Sequence, residues 1–285
     1  IAETGFDPAQ ISDIYSRTVT PHIFEALYAY DPLALPVKIV PLTAAALPEH
    51  SPDFRVWTLR LKPGIHFAED VAFKGRRRAL VAEDYVYSFK RFFDPVTKSP
   101  SYANLNAAGI LGLDELRQAA LKHKKPFDYE QPVEGLRALD RYTLQFRLRE
   151  PRPRFLFILA GGDQFGAVAR EVIEHYGQAR AMEHPVGTGP FMLTKWRRSS
   201  QVVLERNPNF RELYYDAEPN ADDAEGQALL ARLKGRRLPM VDRVEVSVIE
   251  ESQPRWLSFL NREIDYISVP LEFSNVAAPN GRLAP

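Results

Sequence analysis

Two hydrophobic periods alternate along this chain. In residues 54–67, FRVWTLRLKPGIHF, Trp57, Leu59 and Leu61 fall on one side of an extended run and Val56, Thr58 and Arg60 on the other, before a Pro63-Gly64 turn. LDRYTLQFRLREP repeats the period through Tyr142, Leu144, Phe146 and Leu148, and Val244, Val246 and Val248 share one face of a third strand. Between the first two runs the period changes. Tyr85, Val86, Phe89, Phe92 and Phe93 form one helical stripe, with Glu83 and Asp84 in the first turn and Lys90 and Arg91 in the last, as the helix dipole favours. Asp94-Pro95 stops that helix.

Further helices are expected at 114–125 and in AVAREVIEHYG, where Gly177 caps the C-terminus. Another is expected in DDAEGQALLARLKG, opened by Asp222 and closed by Gly235. Near the start, Ile23, Phe24, Leu27 and Tyr28 recur at helical spacing after Thr20-Pro21, predicting an amphipathic helix with proline in its first turn. IDYISVP, 264–270, reads as a buried strand. The stretch HPVGTGPF, 184–191, enters a hairpin. Two glycines flank Thr188 for a tight turn, Phe191 and Leu193 face one way, and Met192, Thr194 and Trp196 face the other. The polar RRSSQ link leads into VVLER, and Asn207-Pro208-Asn209 closes the unit.

Composition changes this picture mainly by exclusion. With 45% hydrophobic and 26% charged residues over 285 positions, the chain supports one large or two moderate cores. Lys+Arg and Asp+Glu both number 37, so no global field draws in nucleic acid or an anionic membrane; the KGRRR and KGRR runs at 74–78 and 234–237 read as solvated loops or helix ends. The absence of cysteine rules out disulfides, thiolate metal sites and cysteine nucleophiles. The six histidines lack metal-focusing spacing. No nucleophile elbow, P-loop or third glycine of a dinucleotide fingerprint is present. No cofactor is implied, and binding is favoured over catalysis. The chain opens at IAETGFDPAQ, which reads as the interior of a longer sequence.

As a string, HPVGTGPF…W…VVLERNPNF closely resembles the central signature of the family-5 extracellular solute-binding proteins, the dipeptide- and oligopeptide-binding components of ABC importers. VAEDYVYSFKR, LDRYTLQFRL and ESQPRWLSFLNREID extend the resemblance along most of the chain, with Arg262 standing where glycine is usual. It implies an α/β protein of the type II periplasmic-binding class, with mixed sheets flanked by helices. Residues 1–45 and 156–268 would form lobe one, 46–155 an inserted subdomain, and 269–285 the threshold of a truncated lobe two. Implied ligand contacts are Tyr15 and Arg17 in a loop facing the cleft, Ser101 and Tyr102 after the aromatic helix, and Glu272 beyond Pro270. For Tyr102 simple burial, and for Glu272 a solvated strand end, fit the residues equally well. The implied partners are a peptide or similar solute and the permease and ATPase subunits of an importer, in the periplasm. A membrane would be met only through the permease or a lipid anchor. A non-peptide solute such as a metal chelate, haem, sugar or opine, or a hydrolase built on the same fold, remain the alternatives.

Overall fold

A computed structural model describes residues 3–283. The period-two segments pair as predicted. Val56–Arg60 lies between Glu49–His50 and Thr143–Arg147, with Leu136–Asp140 on the outer side of the latter, all antiparallel. The register sets Trp57 opposite Phe146 and Leu59 opposite Leu144, so one face carries a continuous apolar layer. Against it packs the helix Ala82–Arg91, where Phe89 meets Phe146 edge-on at 5.2 Å. The expected stripe is buried in full.

The charges at that helix's ends are more specific than a dipole argument requires. Asp84 accepts from the Val81 amide at 2.8 Å, capping the helix, and also receives Arg78 at 2.7 Å. Lys90 donates to the Tyr129 and Gln131 carbonyls. Arg91 makes a bidentate pair with Asp7 at 2.6 and 2.7 Å, and both side chains are 1% exposed. These bonds fasten the N-terminal segment and the 129–131 loop to the helix.

The 184–210 unit is a hairpin, Phe191–Arg197 with Gln201–Arg206, extended by Arg243–Ser247 into a three-stranded antiparallel sheet. Its predicted alternation fails at one residue. Leu193 pairs with Leu204 but Lys195 pairs with Val203, so Thr194 is the extra residue of a bulge. Beyond the bulge the faces exchange, and Trp196 joins Phe191 and Leu193 on the cluster containing Phe6 and Val202 while Met192 packs on the other core.

The glycines flanking Thr188 also have a different reason from the expected turn. Neither carries a positive φ. A methyl group on Gly187 would lie 2.0 Å from the Ile23 carbonyl oxygen, and one on Gly189 2.7 Å from those of His22 and Ile23. The two backbones cross in contact, and the Gly189 amide donates to Ile23 at 2.8 Å. Thr188 and Arg211 both donate to Glu25 Oε2, at 2.9 and 2.7 Å. Asn207 closes the unit by donating to the Gly189 carbonyl.

Four sequence expectations need correction. The helix expected over 23–28 is absent: the helical turns are Ile14–Val19 and Thr20–His22, and Tyr28–Tyr30 is a strand paired with Ile39–Pro41. Ile23, Phe24, Ala26, Leu27 and Tyr28 are all buried, so the run is a fully enclosed segment whose apolar residues mimic helical spacing. The cap of the Ala224–Leu233 helix is Asp223, which accepts from the Gly226 amide, and not Asp222. Residues 264–270 form no strand, and Tyr266 is 83% exposed; no neighbouring strand offers this apolar run a ladder among the described residues. Finally, the sheets expected to be mixed pair antiparallel throughout the described residues: short links at 198–200 and 141–142 close hairpins, and long excursions bring Thr143–Arg147 back beside Val56–Arg60 and Arg243–Ser247 beside Gln201–Arg206. The largest apolar cluster runs without a break from Leu27, Tyr28 and Ala44 through residues 57–148 to Val172 and Val186.

Candidate functional site

The segment Asp13–Arg17, expected as a loop, is the start of a helix. Asp13 caps it by accepting from the Ser16 amide at 2.7 Å, and Thr4 Oγ1 donates to its other oxygen. Burial pushes the Asp13 carboxyl up, but these hydrogen bonds outweigh it and hold the group below the usual carboxylate range. The helix therefore stands rigidly on the N-terminal segment and projects Tyr15, 55% exposed, outward.

Tyr15 lines a groove of about 520 Å³, together with Thr18 and Val19 of its own helix. Phe6, Val202 and the extended run Val246–Glu250 contribute further lining, and Glu3, Arg255 and Ser268 complete it. The volume falls within the range of small-ligand sites, and the lining mixes apolar side chains with polar and charged ones. Of the sequence-predicted residues, Tyr15 is the one in this groove.

Arg17 turns to another role. Its Nε donates to Asp163 at 2.5 Å, while Thr20 Oγ1 donates to the Asp163 carbonyl. The next residue, Gln164, donates to Ser101 Oγ at 2.5 Å, and Phe165 stacks on Phe89. Arg17 and Ser101 thus belong to one bonded chain through residues 163–165, which ties the Tyr15 helix to the main core. Tyr102 opens the helix Tyr102–Ala107 and is held by its own neighbours: its hydroxyl donates to Asp114 at 2.6 Å, its ring meets Phe93 edge-on, and Arg117 lies over it at 4.2 Å. The bond to the Asp114 carboxylate raises the Tyr102 phenol above its ordinary value. Glu272 is exposed in the turn Leu271–Phe273, outside the groove, beside Phe273 stacked on Trp256 at 5.4 Å.

Sequence reasoning missed Arg255 and the Glu25 hub. Arg255 lies two residues past Gln253 in ESQPRWLSFL, where nothing distinguishes it from a solvated arginine. Glu25 sits inside an apolar run, and a lone carboxylate flanked by Phe24 and Ala26 was a signal for a buried, partnered charge. Among the described residues no group of three or more His, Cys, Asp or Glu side chains gathers to hold a metal, and no helix is long and apolar enough to cross a membrane.

The periplasmic oligopeptide-binding protein OppA of Salmonella typhimurium is 28% identical over 207 residues, covering 72% of this chain and 34% of that protein. Di/tripeptide-binding protein 2 of Pseudomonas aeruginosa is 29% identical over 229 residues, covering 78% of this chain and 38% of that one. The chain therefore spans about a third of the length of these curated relatives. Among solved structures, Haemophilus influenzae OppA in complex with RPPGFSPFR aligns over 97% of this chain and 46% of its own, with a TM-score of 0.71 at 20% identity. That likeness shows the fold, the α/β type II periplasmic-binding architecture. The sequence profile of the bacterial extracellular solute-binding proteins, family 5 Middle, matches residues 38–282, and the chain belongs to that family.

Proposed function

We propose that this chain is part of the solute-capturing component of an ABC-type importer, taking peptides or similar extended solutes in the periplasm and delivering them to a permease driven by a separate ATPase. The observation that carries the reading is the groove beside Tyr15 in a chain of this family: about 520 Å³, apolar along Val19, Val202 and Val248, with polar groups at its edges. A peptide fits such a site because the extended run Val246–Glu250 offers main-chain groups to a bound backbone, leaving ligand side chains to wet, permissive pockets. Tyr15 contacts the ligand directly, while Arg17 and Ser101 brace the helix that presents it. Tyr102 and Glu272 contact solute only if a second lobe, beginning near residue 269, closes over this one with residues 1–45, 46–155 and 156–268 as the standing half. The work is capture without bond breaking, and no cofactor is called for.

The protein as encoded in its gene, purified without refolding, tests this by native mass spectrometry and by calorimetric titration with tri- and tetrapeptide pools. Intact peptides should co-purify and titrate with micromolar affinity. Recovery of a non-peptide solute with no peptide heat, or of turnover products, would sink the proposal.

A further inference from the structure

We propose that Arg255 is the carboxylate-recognising residue of the groove, so that its ligand is anchored by a carboxylate lying next to an apolar group. This rests on the reading that the groove beside Tyr15 is the solute site, and adds which chemistry it selects.

Arg255 is the one Lys or Arg side chain among the groove's lining residues, and it differs from several neighbouring arginines in its pairing. Arg243 pairs with Glu205 and Glu245, Arg206 with Asp242, and Arg211 with Glu25. Arg255 has no carboxylate partner among the described residues. Its Nη1 donates to the Ile249 carbonyl at 3.0 Å, a bond that holds the guanidinium against the groove-lining run while leaving most of its five donors unused. A half-buried guanidinium fixed in this way is preorganised, and its planar fork matches the two oxygens of a carboxylate.

The other charged groups in the groove sharpen the selection. Glu3 is held in place through one oxygen, Oε1, which accepts from Trp196 Nε1 at 2.6 Å and from the Ser199 amide at 2.9 Å. Glu250 lines the groove with no partner among the described residues. The lining therefore carries one cation and two carboxylates, so Arg255 is where a ligand carboxylate is taken, and it gains most when the rest of the ligand is neutral or cationic. Val246, Val248 and the Tyr15 ring supply the apolar surface on which the adjoining group would rest.

The probes are N-acetylphenylalanine and N-acetylphenylalanine amide, which differ only in the carboxylate, read by the Arg255 side-chain Nε–Hε resonance and by calorimetry. The acid should shift that resonance and bind at least tenfold more tightly than the amide. R255Q should abolish the discrimination and R255K should retain part of it, since charge survives but the fork does not. Unchanged thermal unfolding of R255Q, expected of a residue with no ion pair, separates recognition from folding. If peptides bind the protein but acid and amide bind alike, or R255Q still discriminates, the role of Arg255 is overturned while the peptide-binding reading stands. If peptides fail while the acid alone binds and depends on Arg255, the carboxylate site stands and the peptide reading falls. If neither probe nor peptide binds, both are overturned.

Discussion

The helices Ala82–Arg91 and Ala224–Leu233 have the same length and both read as amphipathic, yet nine residues of the first are buried and one, Gly226, of the second. In the first helix three of the charges, Asp84, Lys90 and Arg91, are enclosed, each matched to a particular partner. In the second, Leu229, Leu230 and Leu233 stay half-exposed. Periodicity states which face of a helix is apolar; whether anything covers that face depends on segments far away in sequence. The first helix is covered by the four-stranded sheet, by the N-terminal segment through Asp7, and by Phe165. The contrast extends to the surrounding regions, with a dense core over residues 57–186 and a more open arrangement after residue 211.

The sharpest way to break this contrast is at Arg91. Arg91→Met leaves the Asp7 carboxylate buried without its partner, and should cost about 3–5 kcal/mol of unfolding free energy in urea. The double change Asp7→Leu with Arg91→Met should recover much of that loss, because an apolar pair of similar volume needs no desolvation of charge. A single change costing under about 1 kcal/mol would mean that the two regions differ less than their burial implies.

Glycines offer a second, smaller contrast. Gly187→Ala drives a methyl into the Ile23 carbonyl, where backbone lies on both sides and cannot yield cheaply. About 1–3 kcal/mol or more should be lost, read from the urea midpoint. Gly235, at φ 74°, has nothing within 4 Å of an added methyl, so Gly235→Ala meets only the left-handed backbone penalty of about 1 kcal/mol. Equal effects at the two positions would show that the crossing of 187–189 with 22–23 is looser than its distances.

These positions also mark how far the sequence could be read. The alternation at Trp57, Leu59 and Leu61 and the stripe from Tyr85 to Phe93 were legible because one local period decides the face. The glycines at 187 and 189 were visible, but their cause was not, since the backbone they accommodate comes from residues 22–23. The bulge at Thr194 left no sequence mark, and one extra residue was enough to move Trp196 to the opposite face. Of the residues lining the groove, Tyr15 is the one that the resemblance named as a candidate contact. The pairing of Arg17 with Asp163 and of Ser101 with Gln164 could not, because a hydrogen-bond partner 146 or 63 residues away is set by the fold. That Arg255 meets no carboxylate among the described residues is equally a property of three-dimensional placement.

The smallest expected effect lies in the open region, at the end of the helix Ser252–Leu260. Arg262 adopts φ 62°, a left-handed conformation that costs an L-residue about 1–2 kcal/mol. Its side chain is exposed and makes no hydrogen bond among the described residues, so nothing offsets that strain locally. Arg262→Gly removes the penalty but gives back roughly 0.5–1 kcal/mol through the greater freedom of glycine in the unfolded chain. A net gain of about 0.5 kcal/mol should slow hydrogen exchange of the Trp256–Leu260 amides roughly twofold. Because few buried contacts link this helix to the main core, the midpoint of global unfolding should move by less than about 1 °C. A rise of several degrees would instead show that the helix unfolds together with the Ala82–Arg91 core, and the division between a dense and an open region would lose its energetic meaning.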